Sequence, residues 1–173
     1  MLFYFDEKVK TYEDQFQWDQ SLVYLESMYL QSKEVALLNT IVGYSWFYLV
    51  EGPIISREFR NDTNILPLVY WRKYIDIGMN VARDNPFFSF IAGYTLLLNG
   101  EYFDYTHVEI GFSLMQNCVK ITDNTSLRIL ASNFIQNTNS RKHIPLENGG
   151  TICSDLFPGC SLLDQYFREV YAI

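Results

Sequence analysis

Apolar residues recur at helical spacing over most of the chain, and the pattern starts close to its N-terminus. From Glu13 to Gln31 they fall near i, i+3 and i+7, which predicts one amphipathic helix. The acidic residues of this segment fall on the opposite side, so we expect solvent around Asp14, Asp19 and Glu26. Trp18, between two polar residues, has two possible positions, in the core or on an exposed surface.

The second predicted helix is the most apolar segment of the chain. A cap at Ser32 begins it, and Gly52-Pro53 should end it because neither residue favours a continuing helix. The apolar stretch Val35–Val50 is shorter than a membrane span and is interrupted by polar and small residues. It therefore predicts a helix buried inside a protein core.

Further helices follow at short intervals. The pattern predicts a third helix over Ile65–Arg83 and a fourth over Pro86–Gly100, with the proline at its first position. Thr106 and Glu109 have the spacing of a capping box, which predicts a fifth helix that runs to about Ile121. A sixth helix is predicted from Thr125 to about Asn137.

The helical spacing fails between Arg141 and Gly159, where prolines and glycines predict a long loop. A last short helix is predicted over Ser161–Tyr171. The sequence therefore predicts an all-α fold, with residues 1–173 forming a single domain of stacked antiparallel helical hairpins.

Two short patterns repeat along the chain. The second and fourth predicted helices share an apolar-x-Gly-Tyr-hydroxyl string around Gly43 and Gly93, and the third and fifth share apolar-acid-Ile-Gly-apolar around Gly78 and Gly111. Glycine inside a helix costs about 1 kcal/mol relative to alanine, so we expect close helix packing to compensate. The arrangement over about Lys33–Asn137 resembles the tetratricopeptide class of helix-turn-helix repeats, without its strict period, and this implies irregular stacked α-hairpins.

Charge limits the classes of partner. The 173 residues carry 20 Asp and Glu against 13 Lys and Arg, a formal net charge of −7. This surplus repels phosphate backbones and anionic membranes, and it favours a basic partner.

The first residues lack the basic and apolar regions of a signal peptide, so we expect a cytoplasmic protein. In that compartment we expect reduced thiols at Cys118, Cys153 and Cys160.

Catalytic motifs are missing from the sequence. It contains no phosphate-binding glycine loop, no His-Glu-x-x-His, no Cys-x-x-Cys and no Gly-x-Ser-x-Gly. We therefore expect no cofactor, no metal and no enzymatic activity. The alternative is an enzyme with a thiol–imidazole site in the predicted C-terminal loop, formed by His143, Cys153, Asp155 and Cys160.

Acids and aromatic residues lie together in two regions, the first predicted helix and the turn that follows the fourth. Aromatic rings bury area at low entropic cost, and carboxylates select a cationic partner. The alternative is that the rings of the turn pack on the core and the acids only keep it soluble. The predicted partner-binding residues are Asp14, Asp19, Glu101, Tyr102, Asp104, Tyr105 and Glu109.

A small, acidic, tyrosine-rich helical domain of this kind resembles the bacterial immunity proteins that protect cells from polymorphic or contact-dependent toxins. The resemblance is one of size, charge, composition and helical hairpins. It implies a non-enzymatic inhibitor that covers the active site of a basic toxin domain, often a nuclease. The alternative binding role is a peptide-docking repeat scaffold, in which the tyrosines of the Gly-Tyr repeats, Tyr44 and Tyr94, line a groove.

Overall fold

The computed structural model describes residues 2–55, 66–99, 105–140, 145–146, 148–159 and 161–171, without the side chains of 51–55, 105 and 106. Within these ranges the backbone forms α-helices and no strand, so the all-α prediction is confirmed. No described helix is long and apolar enough to cross a bilayer. The helices are α1 Glu7–Asp14, α2 Trp18–Ser32, α3 Val35–Ile55, α4 Leu66–Val81, α5 Pro86–Asn99, α6 Tyr105–Ile121, α7 Thr125–Ser140, α8 Gly149–Leu156 and α9 Leu162–Tyr171.

The chain divides into two compact units, Met1–Ala82 with α1 to α4 and Arg83–Ile173 with α5 to α9. Each unit is built from helices that pack on their neighbours in sequence, as helical hairpins do. That residues 1–173 form a single domain stays a prediction.

Helix α3 forms the core of the first unit. Every residue from Leu37 to Leu49 is buried, which confirms the buried helix that the apolar stretch predicted. Helices α2 and α4 pack against it. The N-terminal segment also lies along it, because Asn39 Nδ2 donates to the carbonyl of Leu2 at 3.2 Å and the Tyr4 amide donates to Thr40 Oγ1 at 2.6 Å. Polar groups of a buried helix thereby obtain partners.

The predicted helix Glu13–Gln31 is wrong, because the structure has two helices there. Helix α1 begins earlier, at a cap formed by Asp6, whose carboxylate accepts from the amides of Lys8 and Val9. It ends in a Schellman motif, in which Gln17 N donates to Tyr12 O and Phe16 N donates to Glu13 O. Phe16 takes the left-handed position with φ 55°, where glycine is usual. No glycine marks this turn, so the spacing of apolar residues runs through it.

The boundaries of the next helices also differ from the predicted ones. Helix α3 continues through Gly52-Pro53 to Ile55, past its predicted end. Helix α4 ends at Val81, short of the predicted Arg83. Helix α6 begins at Tyr105, one residue before the predicted cap at Thr106.

The second unit contains the close helix approach that the glycines predicted. A Cβ built on Gly93 of α5 lies 3.0 Å from the carbonyl oxygen of Gly111 on α6 and 3.1 Å from the amide nitrogen of Met115. The two backbones therefore touch where the glycines lie. Pro86 begins α5 as predicted, and Asn85 Oδ1 caps it by accepting from the amides of Phe87 and Phe88.

The long loop predicted between Arg141 and Gly159 contains a helix, α8, which corrects that prediction. Gly149 and Gly150 are its first two residues, where backbone amides have no partner inside the helix and glycine interrupts nothing. Ile152, Cys153 and Leu156 form its buried side. A Cβ on Gly149 would collide with the carbonyl oxygen of Tyr171, so close packing against α9 requires glycine here.

Replacing Gly93 with alanine tests the α5–α6 contact. We expect Gly93→Ala to lower the free energy of unfolding by about 1–2 kcal/mol, because the clash with backbone atoms exceeds the gain in helix propensity. Urea unfolding of the full chain measures the change. Gly150→Ala is the matched control, since its Cβ meets nothing within 4 Å, and it should leave stability unchanged or slightly higher. Equal stability of Gly93→Ala and the natural chain contradicts the prediction.

Candidate functional site

The structure brings two of the predicted partner-binding residues to one turn. Asp14 is the last residue of α1 and Asp19 the second of α2, and both are exposed. Glu109 is exposed on α6 in the second unit, and Tyr105 begins that helix. Glu101, Tyr102 and Asp104 lie outside the described residues. A common surface made by all seven residues stays a prediction.

The tyrosines of the Gly-Tyr repeats do not line a groove, which corrects the docking surface expected for a peptide scaffold. Tyr44 is 0% exposed and Tyr94 2% exposed. The Tyr44 hydroxyl donates to the buried carboxylate of Glu13. The Tyr94 ring packs on Phe134 and Phe167, with centroid distances of 4.8 and 5.0 Å. Both rings fill the cores of their units because the helices around them leave no path to solvent.

The thiol–imidazole alternative gains no support from the residues of its site that are described. Cys153 is buried on α8, and burial raises the pKa of its thiol, which disfavours the reactive thiolate. Burial likewise raises the pKa of Cys118 to about 12. His143 and Cys160 lie outside the described residues. Within the described ranges no three His, Cys, Asp or Glu side chains are grouped to hold a metal ion.

The turn between α1 and α2, which we call the α1–α2 turn (residues 14–19), exposes a large aromatic ring. The side chain of Phe16 is 69% exposed, and its ring centroid lies 6.4 Å from that of Trp18. Trp18 instead stacks on Tyr48 of α3 at 4.6 Å with an interplanar angle of 7°. Trp18 therefore anchors the turn to the core, while Phe16 points away from it. A bulky residue at positive φ is an uncommon conformation in proteins.

A groove of about 430 Å³ lies beside this turn, between α1 and α2. The rings of Tyr12 and Tyr24 contact each other in it at a centroid distance of 6.2 Å. Lys8 Nζ lies 4.3 Å from the centroid of Tyr24, a cation–π contact. We call this depression the α1–α2 groove; it is lined by Lys8, Tyr12, Asp19, Gln20, Val23, Tyr24 and Ser27.

Asp19 is the acid of the α1–α2 groove. Its carboxylate forms no hydrogen bond and no ion pair with any of the described residues. Neighbouring atoms partly desolvate it, and this desolvation raises its pKa above the ordinary aspartate value. The groove therefore presents an unpaired carboxylate beside two aromatic rings.

Other acids of the first unit accept hydrogen bonds from residues of the same unit. The carboxylate of Asp6 accepts from the hydroxyls of Tyr4 and Tyr24, both at 2.7 Å. Burial raises the pKa of Asp6, but the bonds from the Val9 amide and the two tyrosines outweigh this and leave it below the ordinary value. Because the Tyr24 hydroxyl is held, its ring has a fixed orientation in the α1–α2 groove.

Glu26 was predicted on the solvent side of the first helix, and the structure corrects this. Its carboxylate accepts from the hydroxyl of Tyr70 at 2.5 Å and that of Tyr74 at 2.7 Å, and it pairs with Lys73 Nζ at 2.7 Å. These bonds join α2 to α4. Burial raises the pKa of Glu26, and the bonds from Lys73, Tyr70 and Tyr74 together lower it below the ordinary value. The spacing of residues around Glu26 does not predict these bonds, because its partners are more than forty residues away in the chain.

The chain matches no protein-family model, no curated protein and no solved structure.

The bonds of Tyr70, Lys73 and Tyr74 to Glu26 predict that the stability of the protein depends on pH. The pKa of Glu26 is lower in the folded state than in the unfolded state. Its contribution to the free energy of unfolding is therefore complete above the ordinary glutamate pKa of 4.5 and is lost as the pH falls through the lower, folded-state pKa. We expect Glu26→Gln to lower the free energy of unfolding by about 1 kcal/mol at pH 7 and by less at pH 3.

Urea unfolding at the two pH values measures this difference. Glu34→Gln is the control, because Glu34 is exposed and makes no bond to tyrosine. A loss for Glu26→Gln that is the same at both pH values contradicts the assigned role.

Proposed function

We propose that this protein is a cytoplasmic binding protein of the immunity or antitoxin type, which neutralises a basic toxin domain by covering its active site. The surface that binds is the α1–α2 turn with the adjoining α1–α2 groove. The proposal has one main support, the exposed ring of Phe16 in a left-handed backbone conformation.

The left-handed conformation of Phe16 has an energetic cost. An L-residue in the left-handed region loses roughly 1–2 kcal/mol relative to the right-handed one. Glycine at this position of a Schellman motif avoids most of that cost. The ring also gains little from packing, since most of it is exposed. Strain and exposure together are typical of a residue kept for binding, and phenylalanine is large enough to anchor an interface.

The charges around the turn indicate the sign of the partner. Asp14 and Asp19 flank Phe16 and are exposed, and the chain carries a net charge of −7. Such a surface attracts a cationic protein and accelerates its association. A nuclease cleft collects lysine and arginine because it binds phosphates, so an acidic inhibitor with a central ring can occupy it. The same charge argues against nucleic acid and anionic membranes as partners.

The first experiment is a pull-down with the toxin domain encoded by the neighbouring gene, repeated from low to high salt. We expect a complex that weakens as salt rises, because screening reduces attraction between exposed charges. A neighbouring gene without a toxin domain, or a toxin domain that forms no salt-sensitive complex, contradicts the proposal.

A second experiment separates binding from stability at Phe16. We expect Phe16→Asn to leave the free energy of unfolding unchanged or up to about 1 kcal/mol higher, because asparagine tolerates a positive φ. Affinity for the toxin domain should fall at least about tenfold, since the central ring is lost. Calorimetric titration and urea unfolding measure the two effects.

Val81→Ser is the matched control for this variant. Val81 is 64% exposed on α4 in the same unit and lies outside the proposed surface, so its replacement should not change the affinity. Unchanged affinity in Phe16→Asn, or an equal loss in both variants, means that the α1–α2 turn does not bind the partner.

A further inference from the structure

We propose that the α1–α2 groove recognises one arginine side chain of the partner, whose guanidinium binds between the carboxylate of Asp19 and the ring of Tyr12. The inference rests on the proposed function, because it names the chemical group that the same surface takes. It rests on three features of the groove: an unpaired acid, a ring that accepts a cation, and an exposed apolar side chain next to them.

The acid is Asp19. Its carboxylate lines the groove without a hydrogen-bond or ion-pair partner among the described residues. In the free protein, neighbouring atoms already remove part of the water around this carboxylate, and this raises its pKa. Pairing with a cation therefore adds less desolvation cost than it would at a fully hydrated carboxylate. The planar guanidinium suits this acid because it donates two parallel hydrogen bonds to one carboxylate.

The rings of the groove already bind one cation. Lys8 Nζ lies 4.3 Å from the centroid of Tyr24 and 6.0 Å from that of Tyr12. The closer contact occupies Tyr24 and leaves Tyr12 as the ring for a second cation. Lys8 repels a second cation, whereas the carboxylate of Asp19, which lines the same groove, attracts it. Arginine stacks on aromatic faces better than the strongly hydrated ammonium of lysine does.

The apolar side chain is Val23, four residues after Asp19 and therefore on the same side of α2. It is 52% exposed and lines the groove. The methylene stem of an arginine can lie along it while the guanidinium reaches the acid. The acid and the ring thus match the guanidinium of one arginine side chain, and the apolar side chain matches its methylene stem.

Titration of the full chain with N-methylguanidinium chloride, followed by backbone amide NMR, tests the inference. We expect saturable shifts at Tyr12, Asp19, Gln20 and Val23, which all line the groove. Asp19→Asn should weaken binding about fivefold, the upper range for an exposed ion pair. Asp76→Asn is the matched control, an exposed acid of the first unit outside both the α1–α2 turn and the groove, and it should bind as the natural chain does.

Replacements of Tyr12 and a second probe complete the test. Tyr12→Phe keeps the ring and should retain binding, whereas Tyr12→Leu should weaken it. Methylammonium at the same ionic strength should bind more weakly than N-methylguanidinium. Circular dichroism and the urea midpoint of each variant establish that it folds, so that a lost shift reports the groove.

Several outcomes overturn the inference. These are the absence of saturable shifts in the groove, equal binding to Asp19→Asn and the natural chain, an equal loss in Asp76→Asn, and methylammonium binding as tight as that of N-methylguanidinium. If the probe fails while Phe16→Asn still weakens the toxin complex, the arginine site is wrong and the proposed function stands. If the probe binds through Asp19 but no salt-sensitive complex forms, the proposed function is wrong.

Discussion

Helix α3 is buried on every side from Leu37 to Leu49, and the first unit is arranged so that each side is covered. A helix of this kind gains stability only when all of its sides leave water, so no single amphipathic neighbour is sufficient. Helices α2 and α4 cover two sides, and the N-terminal segment covers another through Asn39 and Thr40. A straight helix from Glu7 to Ser32 could not also bring Glu13 to the hydroxyl of Tyr44 and stack Trp18 on Tyr48. The reversal at Phe16 permits both contacts.

The segments that cover α3 are rich in tyrosine, and the tyrosine hydroxyls need hydrogen-bond acceptors. A buried tyrosine hydroxyl needs a hydrogen-bond partner, and in this unit carboxylates provide several of them. Asp6 holds Tyr4 and Tyr24, and Glu26 holds Tyr70 and Tyr74. These acids are therefore structural: they keep their charge, but their oxygens already accept hydrogen bonds inside the unit. Within the described part of the first unit, the carboxylate of Asp19 differs from these acids in having no hydrogen-bond or ion-pair partner.

The same turn links the architecture to the proposed function. The Schellman motif that reverses the chain leaves Phe16 on the outside, while Trp18 fixes the start of α2 against the core. An exposed ring on a rigid support loses little entropy when a partner covers it. The α1–α2 groove is held equally firmly, because Asp6 fixes the ring of Tyr24 and Lys8 lies over it. A partner thus meets a preformed surface.

The sequence alone determined the helical class, a buried helix within Val35–Val50 and close helix packing at glycines such as Gly93. Those features depend on spacing and on residue size, which neighbours in sequence display. Only the tertiary structure decided that the chain reverses at Phe16, that α8 forms after two glycines and that Tyr44 and Tyr94 are buried. It also decided which acids bind tyrosines and left Asp19 free. A left-handed phenylalanine and a buried carboxylate carry no local signal, because contacts between residues distant in the chain stabilise them.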